Sequence, residues 1–256
     1  MIGPTPMRRP DPTDDRAVSD VLAFILVFSI IITSVGLVYV FGMGALGEAQ
    51  INEQNRNAER AFETMTVSFS DLQTGRGVER LSQLNPRGGG VSVDDSTRLN
   101  VSVDGVPWYD GPVGTLDYNH EGTEISYELG AAFRADDGHS VMVRPPEFVC
   151  TTSSSGPDRA IVSYTNLTAT QPSSVSTSST LRIRATKDRT GLNRSSGNLT
   201  VAIEDSTHAD AWERYFDENG WTDVDGPSGS TGDVEATCAA DDATIRETEL
   251  EIELLL

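Results

Sequence analysis

The hydrophobic pattern changes character twice along the chain. From Val21 to Gly47 (VLAFILVFSIIITSVGLVYVFGMGALG) no residue carries a charge. A helix needs about 20 apolar residues to cross a hydrocarbon core of about 30 Å, and Val21–Phe41 supplies them. A cleaved secretory signal has a shorter apolar region, about 7–15 residues, closed by a small-residue site. No such site follows here, and the run is too long for a core helix in a chain of 256 residues. The pattern predicts one transmembrane helix over 18–47.

Past Gly47 the chain turns polar but keeps a helical period. Ile51, Asn55, Ala58, Phe62, Met65, Phe69 and Leu72 alternate steps of four and three, an apolar seam interrupted only by Asn55. Glu48, Glu53, Arg56, Glu59, Arg60 and Glu63 fill the other faces with helix formers. An amphipathic stalk over 48–73 is expected, continuous with the membrane helix and bent at Gly42, Gly44 and Gly47. At 1.5 Å per residue, 18–72 would span roughly 80 Å. Two partners fit the seam, the chain's own head or neighbouring subunits of a filament.

The period then falls to two. After the breaker cluster Asn85-Pro86-Arg87-Gly88-Gly89-Gly90, short alternating runs recur at 98–103, 115–118, 123–129, 140–143, 160–164, 181–185 and 199–203. Asp104-Gly105 is a hairpin signal. The segment 248–254 alternates strictly, Glu249, Glu251 and Glu253 outward and Leu250, Ile252 and Leu254 inward. One helix is expected over 208–218, capped by Ser206 or Thr207 and stopped by Asn219-Gly220, with Trp212, Tyr215 and Phe216 on its core face. Ser173–Thr180 and Asp223–Asp233 read as exposed loops. The fold class is α+β: a long N-terminal transmembrane and stalk helix, then a mainly antiparallel, sandwich-like β head over 91–256 with one short helix.

Charge narrows the function classes. The chain has 39 acidic and 19 basic residues, a formal net charge of −20, which disfavours a nucleic-acid partner. Lys187 is its sole lysine. An acidic, lysine-poor surface suits a protein that stays hydrated in very high salt, where the Debye length shrinks to a few ångströms and self-repulsion is screened. Arg8, Arg9 and Arg16 precede the apolar run and the first basic residue after it is Arg56, so the positive-inside rule keeps the N-terminus cytoplasmic and the head extracellular.

The junction Asp15-Arg16-Ala17-Val18-Ser19-Asp20-Val21 joins a short arginine-containing leader directly to the apolar helix. It resembles the class III signal of archaeal type IV pilins and archaellins, in particular the haloarchaeal pilin-like N-terminal domain. The resemblance implies processing at Arg16, Ala17 and Val18. A membrane peptidase would cut after Ala17, removing the 1–17 leader and keeping the helix. Its implied partners are the lipid bilayer, a prepilin peptidase and other pilin-like subunits. This chain has Ala17 and Asp20 where the common haloarchaeal pattern has Gly before the cut and Pro at the third mature position. An uncleaved signal anchor is the alternative. The segments 125–133, 141–146 and 211–216 are similar to uncharacterised haloarchaeal surface proteins of the same N-terminal type. Function follows as a structural or adhesive pilin-like subunit or minor pilin, with a non-polymerising bitopic binding module as the alternative.

Candidate chemistry in the head is sparse. Asn100, Asn166, Asn193 and Asn198 open N-x-S/T sequons, which are glycosylation acceptors if the head is external. Cys150 and Cys238 are the only cysteines and would form one disulfide in an oxidising compartment, or remain two buried thiols. Asp217, Asn219, Asp223 and Asp225 form an acidic loop without EF-hand spacing. His120, His139 and His208 have no ligand at zinc spacing, and no nucleophile motif is present. No cofactor, metal or catalytic residue is assigned, and no enzyme activity is expected.

Overall fold

The computed structural model describes residues 12–151, 158–227 and 233–256, with side chains omitted at 12–18, 44 and 45. The elements are α1 (Pro12–Gln73), β1 (Glu79–Leu84), β2 (Gly90–Asp94), β3 (Arg98–Val103), β4 (Val106–Pro112), β5 (Thr115–His120), β6 (Thr123–Glu128), β7 (Ala131–Asp136) and β8 (His139–Arg144). They continue with β9 (Glu147–Thr151), β10 (Arg159–Ala169), β11 (Ser174–Ser176), β12 (Leu181–Ser195), β13 (Leu199–Glu204), α2 (Ala209–Glu218), β14 (Thr222–Asp225), β15 (Val234–Cys238) and β16 (Asp242–Leu255). The fold is α+β, as expected.

The chain divides into two units, residues 1–52 and 53–256. The first consists, as far as it is described, of the N-terminal part of α1. That helix starts at Pro12, ahead of the expected 18, and its helical assignment continues through Gly42, Gly44 and Gly47. Glycine inside a helix costs roughly 0.5–1 kcal/mol but keeps its N–H, so three of them weaken the ladder without interrupting it.

The second unit holds the C-terminal turns of α1, three sheets and α2. The first sheet runs in the order β1-β12-β16-β10-β9, the second β11-β2-β5-β6-β7-β8 and the third β14-β15-β13-β3-β4. All pairings are antiparallel except β10 with β16. β1 precedes the breaker cluster and pairs with β12, so the head starts before the expected 91. Its sequence, ERLSQL, has two leucines, of which Leu84 is buried and Leu81 exposed, and it pairs with β12 over its whole length. Hairpins turn at Asp104-Gly105 and Glu121-Gly122, where both residues take positive φ (47° and 75°, 48° and 82°), as the tightest two-residue turns require.

Two apolar cores result. Ala58, Phe62, Met65, Phe69 and Leu72 of α1 pack with Tyr118, Ile125, Tyr127, Ile183, Leu250 and Ile252. From Ala58 to Leu72 the stalk seam therefore lies on the chain's own head. The other core joins Leu99, Val101, Phe133, Val162, Val201, Trp212 and Phe216.

The first sheet serves both cores on opposite faces. On β10, Ala160, Val162 and Tyr164 enter the α2 core, whereas Leu167, at the opposite parity, enters the α1 core. On β16, Ala243 and Ile245 face one way and Leu250, Ile252 and Leu254 the other. Since side chains alternate across a strand, one long strand can seal two cores, and this is why β10 and β16 outrun their expected lengths, while β12 follows β16 as its antiparallel partner out to Ser195.

Candidate functional site

Three features carry chemistry, beginning with the apolar stretch of α1. Its large side chains from Val21 to Leu46 are 51–73% exposed. Burying one such side chain away from water is worth about 1.5–3 kcal/mol, so this surface drives insertion into an apolar medium. α1 is the one described helix long and apolar enough to cross a membrane. Arg16, Ala17 and Val18 lie on its helical backbone, and their side chains fall outside the described part. The leader residues 1–11 lie outside the described residues.

The second feature is an acidic cavity of about 110 Å³ between the second sheet and the β13–α2 connection, lined by Asp94, Asp117, Glu124, Glu128, Thr207 and His208 among others. β6 projects Ile125 and Tyr127 into the α1 core, which turns Glu124, Ser126 and Glu128 to the opposite face. The 205–208 loop covers that face. Glu128 is 1% exposed. It accepts bonds from Trp212 Nε1 at 2.6 Å, Ser206 Oγ at 2.8 Å and Thr97 Oγ1 at 2.9 Å. Burial raises its pKa against the opposing effect of these donors. Asp117 accepts from Thr115 Oγ1 at 2.9 Å. Burial pushes its pKa up to about 8, with smaller contributions from the Asp94 and Glu124 charges.

His208 is 1% exposed. Its ring stacks on Phe133 at 4.5 Å, and its Nδ1 lies 2.9 Å from Ser140 Oγ. Burial lowers its pKa to about 4, while Glu124, 3.5 Å from Nε2, acts in the raising direction. Ser140, His208 and Glu124 thus align as hydroxyl, imidazole and carboxylate. Ser140 is itself buried, at 5% exposure, and the acidic cavity is lined by His208 and Glu124 without it. The three side chains link the β13–α2 connection to the second sheet.

The α2 cap differs from expectation. His208 occupies the cap position without a side-chain cap bond. The Ser206 hydroxyl, expected to cap, donates to Glu128 and accepts from the His208 backbone N–H at 3.1 Å. Glu128 thereby takes the hydroxyl hydrogen of Ser206 into the buried cluster with Trp212 and Thr97. Glu128 escaped the sequence reading because polar residues alternating with Ile125 and Tyr127 read as a solvated face. The signal was Thr97, Ser206 and Trp212, three donors scattered along the chain.

The third feature is the set of modifiable side chains. Cys150 on edge strand β9 and Cys238 on β15 form a disulfide across a sequence separation of 88 and tie the first sheet to the third. Asn100 and Asn166 are half-buried on interior strands β3 and β10. Asn166 Oδ1 accepts from Gly114 N at 3.1 Å and its Nδ2 donates to Tyr109 Oη at 3.3 Å. Asn193 and Asn198 are exposed. Asp217 lies on α2 and Asn219 at its end, while Asp223 and Asp225 lie on β14. Ser174–Ser176, expected as loop, pair with β2 as β11. Residues 228–232 of the other expected loop fall outside the described residues.

Residues 16–254 match a protein family whose description is a family of unknown function (DUF7289). Neither a curated protein nor a solved structure matches the chain.

Proposed function

The chain belongs to DUF7289, and from that premise we propose that it is a membrane-anchored, externally exposed, archaeal type IV pilin-like surface protein, a structural or adhesive subunit or a minor pilin. The observation that carries this reading is the exposed apolar stretch of α1, joined by one continuous helix to a compact β head. The helix anchors the protein in the bilayer or among the helices of neighbouring subunits, and the acidic head meets the medium. Three arginines before the stretch and none until Arg56 support a cytoplasmic N-terminus. The Cys150–Cys238 bond supports an oxidising, external compartment for the head. The −20 charge with a single lysine supports a high-salt habitat.

A second reading, an uncleaved bitopic ectodomain that binds a component of the envelope, is favoured by Ala17 and Asp20, which depart from the common pilin pattern. Intact-mass measurement and N-terminal sequencing of protein purified from its own cells separate the two. A mature start at Val18 is expected. A retained Met1–Ala17 leader removes the pilin route and leaves the bitopic one. Recovery of the full-length chain from the soluble cytosol overturns both.

A further inference from the structure

The four sequons are equivalent in sequence, and the fold makes them unequal. Asn100 is paired on both sides, with Ala202 of β13 and Asp110 of β4, whereas Asn166 is paired with β16 alone, β9 ending opposite Ser163, and is half-buried. The Asn166 amide is further engaged at both its oxygen and its nitrogen. Asn198 lies in the turn between β12 and β13, where its Oδ1 accepts from Ala240 N at 3.4 Å and its side chain is exposed. Asn193 lies near the end of β12, exposed together with Leu192 and Arg194.

The position of Asn193 has a second property. β1 covers the outer edge of β12 over Leu181–Thr186 only. Beyond the bulge at Lys187/Arg189, β12 continues to Ser195 with β16 on its inner side and no strand on its outer side among the described residues. Alternate residues of such an edge direct unpaired N–H and C=O groups outward, a template on which another chain can pair. Asp188, Arg189 and Arg194 charge the two ends of this stretch, and between them Thr190, Gly191 and the 48% exposed Leu192 leave an uncharged gap. Folded proteins cover or charge edges of this kind.

We propose that Asn193 and Asn198 are the glycosylated sequons of this chain, that Asn100 and Asn166 are not, and that the sugars cover the open outer edge of β12. The proposal rests on the external placement of the head argued above. The co-reactant is an oligosaccharide carried on a lipid phosphate. The Asn Nδ2 forms a bond to the anomeric carbon as the bond from that carbon to the phosphate oxygen breaks. The lipid phosphate leaves with the electron pair and the amide gives up one proton.

The test uses the full-length chain expressed in its own cells, with protease treatment of intact cells to report head topology and mass spectrometry of glycopeptides to report occupancy. Sugars on Asn193 and Asn198, with Asn100 and Asn166 bare, are expected. Ser195→Ala and Thr200→Val should each remove one glycan mass. The detergent-solubilised double variant should shift to larger assemblies on size exclusion, and adding Leu192→Lys, which charges the edge, should reverse the shift. A protease-accessible head that is bare at Asn193 and Asn198, or modified at Asn166, overturns the assignment alone. A double variant that elutes as the glycosylated protein does overturns the covering role. A head shielded inside the cell overturns the external placement and the assignment together.

Discussion

At Glu128 a carboxylate sits at 1% exposure, and its two oxygens gather the indole N–H of Trp212 and the hydroxyls of Ser206 and Thr97. Removing the acceptor leaves three donors unsatisfied, so Glu128→Ala should cost about 2–4 kcal/mol in denaturant unfolding. Asp117 and His208 pull the pH dependence in opposite directions. Asp117, raised from 3.8 to about 8, holds a proton in the fold that the unfolded chain releases. Its stabilising effect is complete at low pH and is lost as pH rises from about 4 to about 8. His208, lowered from 6.5 to about 4, is neutral in the fold, so its contribution is lost as pH falls across that window. The two oppose one another below pH 6.5, and above it Asp117 acts without that opposition, in the same direction as Glu128, whose pKa burial also raises. The melting temperature should therefore fall between pH 6.5 and pH 8 in the native chain, and Asp117→Asn should flatten that fall. An unchanged slope in the variant would remove Asp117 as its source.

Among the elements, the seam of α1 makes the clearest claim. Phe62 is 0% exposed and packs with both sheets of its core, so Phe62→Ala should destabilise the head by about 3–5 kcal/mol. Phe28, 55% exposed, should leave head unfolding unchanged when replaced by alanine. This seam was legible because a 3-4 spacing repeats for six turns. β16 was legible over 248–254 for the same reason, one regular alternation with one buried face. The strands β1, β2, β4, β7, β9, β11, β14 and β15 were not foreseen. β4 contains Pro107 and Pro112, β11 is three residues of Ser-Val-Ser, and β1 takes its place from β12. β7 buries three consecutive residues, Ala131, Ala132 and Phe133, so both of its faces meet protein there, and β9 is five residues long with Val149 exposed beside the buried Phe148.

For the whole molecule, the Cys150–Cys238 bond closes a long loop and joins two sheets that share one core. Replacing both cysteines by serine should lower head stability by about 3–5 kcal/mol in the chain-entropy account. Electrostatics act at the same scale. The segment after Gly47 carries all but four of the 39 acidic residues, and their mutual repulsion is screened only beyond the Debye length, about 10 Å at 0.1 M salt and 3 Å at 1 M. The unfolding midpoint should rise steeply with salt between those concentrations and level off above them, as thermal melts across a salt series would show.

The sequence by itself determined the long apolar helix, the amphipathic seam, the net charge and the α+β class, because each is a property of consecutive residues and their period. Tertiary structure decided the rest. It brought Thr97, Glu128, Ser206, His208 and Trp212 to one place, led one sheet through two cores on opposite faces, and separated the open sequons from the closed ones. Each of these depends on what covers a strand's second face or edge, and that partner lies tens of residues away along the chain, where no local period can announce it.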